Sequence, residues 1–352
     1  MVVNTTPPAG PPARYESLDA WRGVAALAVV FFHCSNMAVT DETFVGRMLL
    51  GGWAGVFLFF PISGYCILAA LHSRENSTLA AFLGRRWRRI VLPYWASIVL
   101  AVGLALAALP FNAGSLADVT LTPRVWAAIL TLTQVFTEHS GRINPVYWSL
   151  GYEEQFYIVM GLVLLTASRL RVWVIVAITA AALVYTNTLS PWHVRGLFLE
   201  YWMCFAPGCA AYIWLHAPAE RIAAVLIIVP AALVAVTTRN EALAISVATA
   251  VVLVMMAPHD SRLARSRPGV VLGWIGTFSY SLYLVHVPIG GRLGNLLNSL
   301  SWPAWIIVPA GVGASIAGAW IFHKVVEVPT LRSRGVAAAG PEHARLSGQA
   351  AA

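Results

Sequence analysis

The chain has 352 residues, of which 59% are hydrophobic and 11% charged, with a mean hydropathy of +0.71. A soluble domain carries about 25% charged residues, so these values exclude an ordinary water-soluble fold and indicate a polytopic membrane protein. The net charge of +8 does not point to nucleic acid as a partner, because arginines in cytoplasmic loops create the same excess.

Residues 1–13 are Pro-rich and neutral, which predicts a disordered tail and no cleavable signal peptide. Apolar segments follow at about 20–38, 48–71, 91–109, 148–167, 172–188, 196–216, 221–237, 241–257, 271–290 and 303–323. Each is near the ~20 residues that a helical span needs. The segment 124–137 is shorter and contains Thr131, Thr133 and Gln134, so a re-entrant or interfacial helix is expected there. The fold class expected is therefore all-α integral membrane, with ten transmembrane helices plus that short one. Residues 331–352, rich in Ala and Gly, predict a second disordered tail, which leaves 14–330 as one membrane domain.

Loop charge supports ten spans. With a cytoplasmic start, the other side receives Arg47, Arg124, Arg142, Arg195, Arg239 and Arg292, and Arg22 lies at the membrane edge. The remaining sixteen of the 23 Lys and Arg fall on the cytoplasmic side, as the positive-inside rule requires. Both termini are then cytoplasmic, and membrane lipids are partners. Cys34, Cys66, Cys204 and Cys209 all lie in apolar stretches without zinc-ligand spacing and read as small packing residues.

The first apolar segment carries Asp19, Arg22 and His33, which a plain anchor does not need. Eleven helical steps from Arg22 to His33 return within roughly 20° of the same face, ~16 Å further along, and Asp19 shares that stripe. Ionisable groups in a bilayer cost on the order of 3 kcal/mol each, so they usually face a bundle interior and mark a site or pathway. A packing histidine and a snorkelling arginine are the plainer alternative.

The second segment contains Pro61, Ser63 and Gly64, which packing alone explains. Before the third segment runs Gly84-Arg85-Arg86-Trp87-Arg88-Arg89. This run fits a topology signal in contact with headgroups. It equally fits a phosphate clamp, with Arg86 and Arg89 one turn apart and Trp87 free to stack on a base. The fourth segment opens with Tyr147-Trp148-Ser149-Leu150-Gly151-Tyr152-Glu153-Glu154-Gln155-Phe156-Tyr157, where Ser149, Glu153 and Tyr157 share a face. On the expected topology they match the depth of His33, and a carboxylate beside an imidazole fixes its tautomer for general-base work. In the ninth segment Ser279, Tyr283 and His286 lie within roughly 60° of one another, either as an inward stripe or as part of an interfacial aromatic belt.

Taken in order, these motifs resemble the membrane-bound acyltransferase family 3, whose members O-acylate sugars on surface polysaccharides, nodulation factors and macrolides. The matching positions are Asp19, Arg22-Gly23 and His33; Ile62-Ser63-Gly64-Tyr65; and Arg86-x-x-Arg89-Ile90-x-x-Pro93-Tyr94-Trp95. Trp148-Ser149-Leu150-x-x-Glu153-x-Gln155-Phe156-Tyr157 and Ser279-Tyr280-Ser281-Leu282-Tyr283-Leu284-x-His286 complete the set. Pro61 and Val285 depart from the residues usual in the family, without removing a polar group. The resemblance implies an O-acyltransferase of the cytoplasmic membrane that moves an acyl group, expected to be acetyl, from acyl-CoA to a sugar hydroxyl.

On that reading His33 and Glu153 are the catalytic pair, and Arg22, Arg86 and Arg89 bind the donor. Asp19, Ser149, Tyr157, Ser279, Tyr283 and His286 support them, and His286 competes with His33 as the base. Acyl-CoA is a co-substrate, and no bound cofactor or metal is expected. The hydrolase-like domain that some relatives carry is not expected here, so the acceptor is expected to meet the membrane domain directly. A transporter or flippase for a lipid-linked sugar also predicts polar stripes inside the bilayer and stays open at this point.

Overall fold

A computed structural model describes residues 15–36, 38–40, 42–72, 78–109, 121–187 and 194–332. The tail expected at 1–13 lies outside them, as does 333–352 of the tail expected at 331–352, whose first two residues, 331 and 332, instead belong to a helix. Among the described residues every regular element is helical.

Helix α1 (Leu18–Ser35) is fastened at its start by Asp260, whose carboxylate accepts from the amides of Glu16 and Ser17 at 2.5 and 2.8 Å. After α2 (Phe44–Leu50) a tight turn leads into α3 (Gly55–Leu71), so Phe44–Leu71 forms one long apolar stretch. Helix α4 (Leu79–Ala107) is capped by the Thr78 hydroxyl, which accepts from the Ala81 amide at 3.2 Å.

The segment expected not to cross forms only α5 (Pro123–Leu130), with Pro123 in its first turn, and a single turn at Gln134–Phe136. Eight residues rise about 12 Å, far short of a ~30 Å hydrocarbon core. The chain continues through α6 (Tyr147–Val163), α7 (Arg171–Asn187), α8 (Leu199–His216), α9 (Arg221–Thr237) and α10 (Glu241–Met256). It then passes through α11 (Asp260–Arg265), α12 (Arg267–Thr277), α13 (Ser279–His286), α14 (Arg292–Ser299), α15 (Ala304–Phe322) and α16 (Val328–Arg332).

Among the described residues seven stretches are long and apolar enough to cross a bilayer, and an eighth qualifies if the pair Arg267–Thr277 and Ser279–Ser299, bent by 64°, counts as one span. Two of the ten expected spans, 148–167 and 196–216, form α6 and α8 but fall outside that set. Helix α6 is 17 residues long and contains Glu153 and Glu154. Helix α8 is buried from Trp202 through Ile213, so protein rather than lipid surrounds it. Large apolar side chains stand exposed on the bundle surface, among them Val99, Leu233, Val236 and Trp305, as expected where lipid replaces water.

Two close helix contacts position the interior. Gly23 of α1 and Gly276 of α12 lie against each other's helix, and a Cβ at either would strike the backbone of Leu272 or Asp19. Gly64 of α3 and Gly208 of α8 do the same against Phe205 and Pro61. Stacked rings then join α3, α8 and α6, with Phe60 to Phe205 at 4.3 Å and Phe205 to Phe156 at 4.4 Å.

Candidate active site

The helical ladder breaks at Phe278, and the chain bends by 64° there before α13 begins. That bend turns Ser279, Tyr280 and Tyr283 toward a pocket shared with α1, α3, α4 and α6. The pocket holds about 770 Å³ including its open mouth. Each of the five motifs singled out in the sequence contributes to its wall: Arg22, Ser63, Arg86 with Arg89, Ser149 with Glu153 and Tyr157, and Ser279 with Tyr283.

Arg22 is held at 2.9 Å by Asp19, one helical turn earlier, and its other terminal nitrogen lies 3.1 Å from the Cys66 thiol. Cys66, read from the sequence as packing, therefore faces the pocket, while Cys34, Cys204 and Cys209 are buried and unpaired as packing residues are. The Arg86 guanidinium lies over the rings of Phe82 at 5.8 Å and Tyr157 at 5.7 Å. Arg89 joins it on the wall, one turn on. Trp87 points elsewhere and packs edge-to-face with Trp95 at 5.6 Å, outside the pocket lining.

Glu153 accepts hydrogen bonds from the Ser63 hydroxyl at 3.0 Å and from the Tyr157 hydroxyl. Ser149 is hydrogen-bonded to the Tyr283 hydroxyl at 2.6 Å, and Tyr283 also donates to the Val146 carbonyl at 2.9 Å. Three arginines and one carboxylate thus line the wall, with Asp19 behind Arg22, which leaves the pocket positive and suited to an anion.

The two histidines sit together, away from this wall. The rings of His33 and His286 are tilted, with centroids 5.1 Å apart, and the Tyr283 ring is 6.0 Å from His286. His286 is fully buried. The pairing differs from the one expected from sequence: among the described residues no hydrogen bond joins His33 to Glu153. The reason is helical rise. His33 lies ~16 Å along α1 from Arg22, whereas Glu153 reaches back toward Ser63, on the same pocket wall as Arg22.

Residues 15–324 match the acyltransferase 3 family, Acyl_transf_3, described as an acyltransferase domain. The chain belongs to this family. It is 23% identical to the peptidoglycan O-acetyltransferase OatA of Listeria monocytogenes, over 91% of this chain and 56% of that protein. It is 30% identical to the exopolysaccharide production protein ExoZ of Rhizobium meliloti, over 43% of this chain and 51% of the relative. The chain spans about a quarter to about half of the length of the curated relatives it matches. No solved structure matches it at a significant level.

In this member of the family, sequence reasoning passed over three anchors of the site. Asn144 donates to the Leu284 carbonyl at 2.9 Å and ties α13 to the loop before α6. Tyr280 donates to the Ile90 carbonyl at 2.8 Å and ties α13 to α4. Glu327 is buried, accepts from Ser281 at 2.5 Å, and lies 2.9 Å from Nδ1 of His323. A signal existed for the last: His323 and Glu327 stand four apart at the end of an apolar helix, the spacing of a side-chain pair. Asn144 and Tyr280 bond to backbone carbonyls, which no side-chain pattern announces.

Proposed function

We propose that this chain is an integral membrane O-acyltransferase with ten spans and both termini in the cytoplasm, carrying an acyl group, in the first instance acetyl, from acyl-CoA to a sugar hydroxyl. One observation carries the reading: Arg22, Arg86 and Arg89 converge with Glu153 on a single pocket inside a helical bundle. Planar guanidinium groups suit the phosphates of a CoA, and the apolar stretch of Val56, Phe59 and Phe60 suits its acyl-bearing arm. Membership of an acyltransferase family favours an enzyme over a transporter. The relatives named for peptidoglycan O-acetylation and exopolysaccharide production support a glycan as acceptor.

In this proposal the donor enters from the arginine-bearing side, and its thioester passes Tyr283 to reach the histidines. His33 removes the proton of the sugar hydroxyl as its oxygen attacks the thioester carbonyl. The carbon–sulfur bond breaks, the ester forms on the sugar, and the proton leaves with the CoA thiol. Glu153 orders Ser63 and Tyr157 along the donor path, and Tyr157 supports Arg86 from below.

The test is mass spectrometry of surface glycans and secreted glycosylated metabolites from cells with and without the gene. The reading expects a mass gain of one acyl group on a sugar in the presence of the gene. Identical acylation in both strains contradicts it.

A further inference from the structure

His286 raises a question that the pocket does not answer. Its Nδ1 lies 3.0 Å from the Leu282 carbonyl and 2.9 Å from the Tyr283 carbonyl. Carbonyl oxygens only accept, so Nδ1 must carry the hydrogen. In the neutral ring Nε2 is then a bare acceptor, and a charged ring without a counter-ion is disfavoured at a fully buried position in a bundle. Nε2 has no hydrogen-bond partner among the described residues.

Two hydroxyls near His286 are already engaged elsewhere. The Tyr283 hydroxyl is engaged by Val146 and Ser149. The Ser315 hydroxyl, next to the His286 backbone, is engaged by the Gly311 carbonyl at 2.8 Å. Of the two rings in contact with His286, that of His33 is the nearer, its centroid 5.1 Å away against 6.0 Å for Tyr283. That separation has room for one bridging water, or for a direct N–H···N contact after a small rotation. A five-residue π-turn at Val287–Gly291, with Pro288 inside it, follows His286 directly. Such turns re-aim side chains and are frequent at functional sites.

We propose that His286 is the positioning residue of His33: its fixed Nε2 lone pair accepts the N–H of His33, and the other His33 nitrogen is left bare to act as the base. The arrangement gives an imidazole the orienting part that a carboxylate plays in a hydrolase triad. It also supplies the tautomer control that Glu153, engaged by Ser63 and Tyr157, does not give. The inference rests on the assignment of His33 as the base.

The test uses the full chain labelled with ¹⁵N-histidine in lipid nanodiscs. Magnetic resonance reads the tautomer of each ring, and the loss of signals in His33→Gln and His286→Gln assigns the two residues. The expected result is a protonated Nδ1 and a bare Nε2 on His286, with His33 nitrogen signals that move in His286→Leu. His286→Gln keeps an acceptor oxygen and should move them less. Glycan acylation in a complemented deletion strain should fall about tenfold or more in His286→Leu and recover in part in His286→Gln. In isolated membranes the acetyl-CoA dependence of CoA release should keep its KM. Unchanged His33 signals in His286→Leu, or a proton on His286 Nε2, overturn the inference. If instead His33→Gln acylates normally, the base assignment fails, whatever the resonance result.

Discussion

The Ser63 hydroxyl donates a 3.0 Å hydrogen bond to the Glu153 carboxylate, and this contact closes α3 onto α6 at the pocket wall. The same carboxylate oxygen accepts from Tyr157, whose ring lies beneath the Arg86 guanidinium. A negative charge, a phenol and a cation therefore form one chain from the pocket centre to its arginine-rich end.

Glu153→Gln keeps acceptors for Ser63 and Tyr157 but removes the one carboxylate on a wall with three arginines. An anionic donor then binds at least as tightly, while the ordering of the path is weakened. Turnover should fall about tenfold or more with no rise in the donor KM. Steady-state kinetics with acetyl-CoA decides, and a KM increase as large as the loss of turnover contradicts the placement of Glu153.

Arg86→Ala and Arg89→Ala should act on the donor instead. Losing a charge-assisted phosphate contact costs about 1.5–3 kcal/mol, which is roughly ten- to hundredfold in apparent affinity. Arg86→Lys should rescue only in part, because Lys lacks the planar fork that lies over Tyr157. Equilibrium binding of acetyl-CoA to purified protein measures both; unchanged binding in both alanine variants would reduce the run to a topology signal.

Gly276→Ala should destabilise the bundle. The new Cβ meets the Asp19 carbonyl, so α12 must move off α1, at a cost of about 1–3 kcal/mol. A lower Tm in detergent than that of the wild-type chain is expected. The neighbouring substitution Gly273→Ala, where a Cβ meets open space, should leave Tm nearly unchanged.

The proposed ten spans would place both ends of the α5 region on one side. Reporter fusions after Leu121 and after Asn144 should therefore give the same, non-cytoplasmic signal. Opposite signals would make the region a crossing and reverse the side assigned to α6.

Much of the architecture was legible because its signal is compositional. Each expected apolar segment forms helix, and each of the five motifs sends polar residues to one pocket, because charge inside a bilayer turns toward the bundle interior, although His33 and His286 meet beside that pocket rather than on its wall. The partner of His33 was not legible. Periodicity places residues on a face of one helix, but which face of α13 meets α1 depends on the bend at Phe278 and on the small residues Gly23 and Gly276. Depth matching set Glu153 level with His33, yet the side chain of Glu153 points toward α3, where Ser63 receives it. Cys66 looked like packing because its neighbours in sequence are apolar; Arg22, 44 residues earlier, makes it part of the wall.

The central claim is that His33 drives acyl transfer without being needed for donor binding. The direct measurement compares His33→Gln with the wild-type chain in the same membranes, reading acetyl-CoA binding and glycan acylation in parallel. A general base contributes typically about 10²–10⁴-fold, so binding should survive while acylation falls by at least about a hundredfold. Acylation near the wild-type rate in His33→Gln would contradict the account.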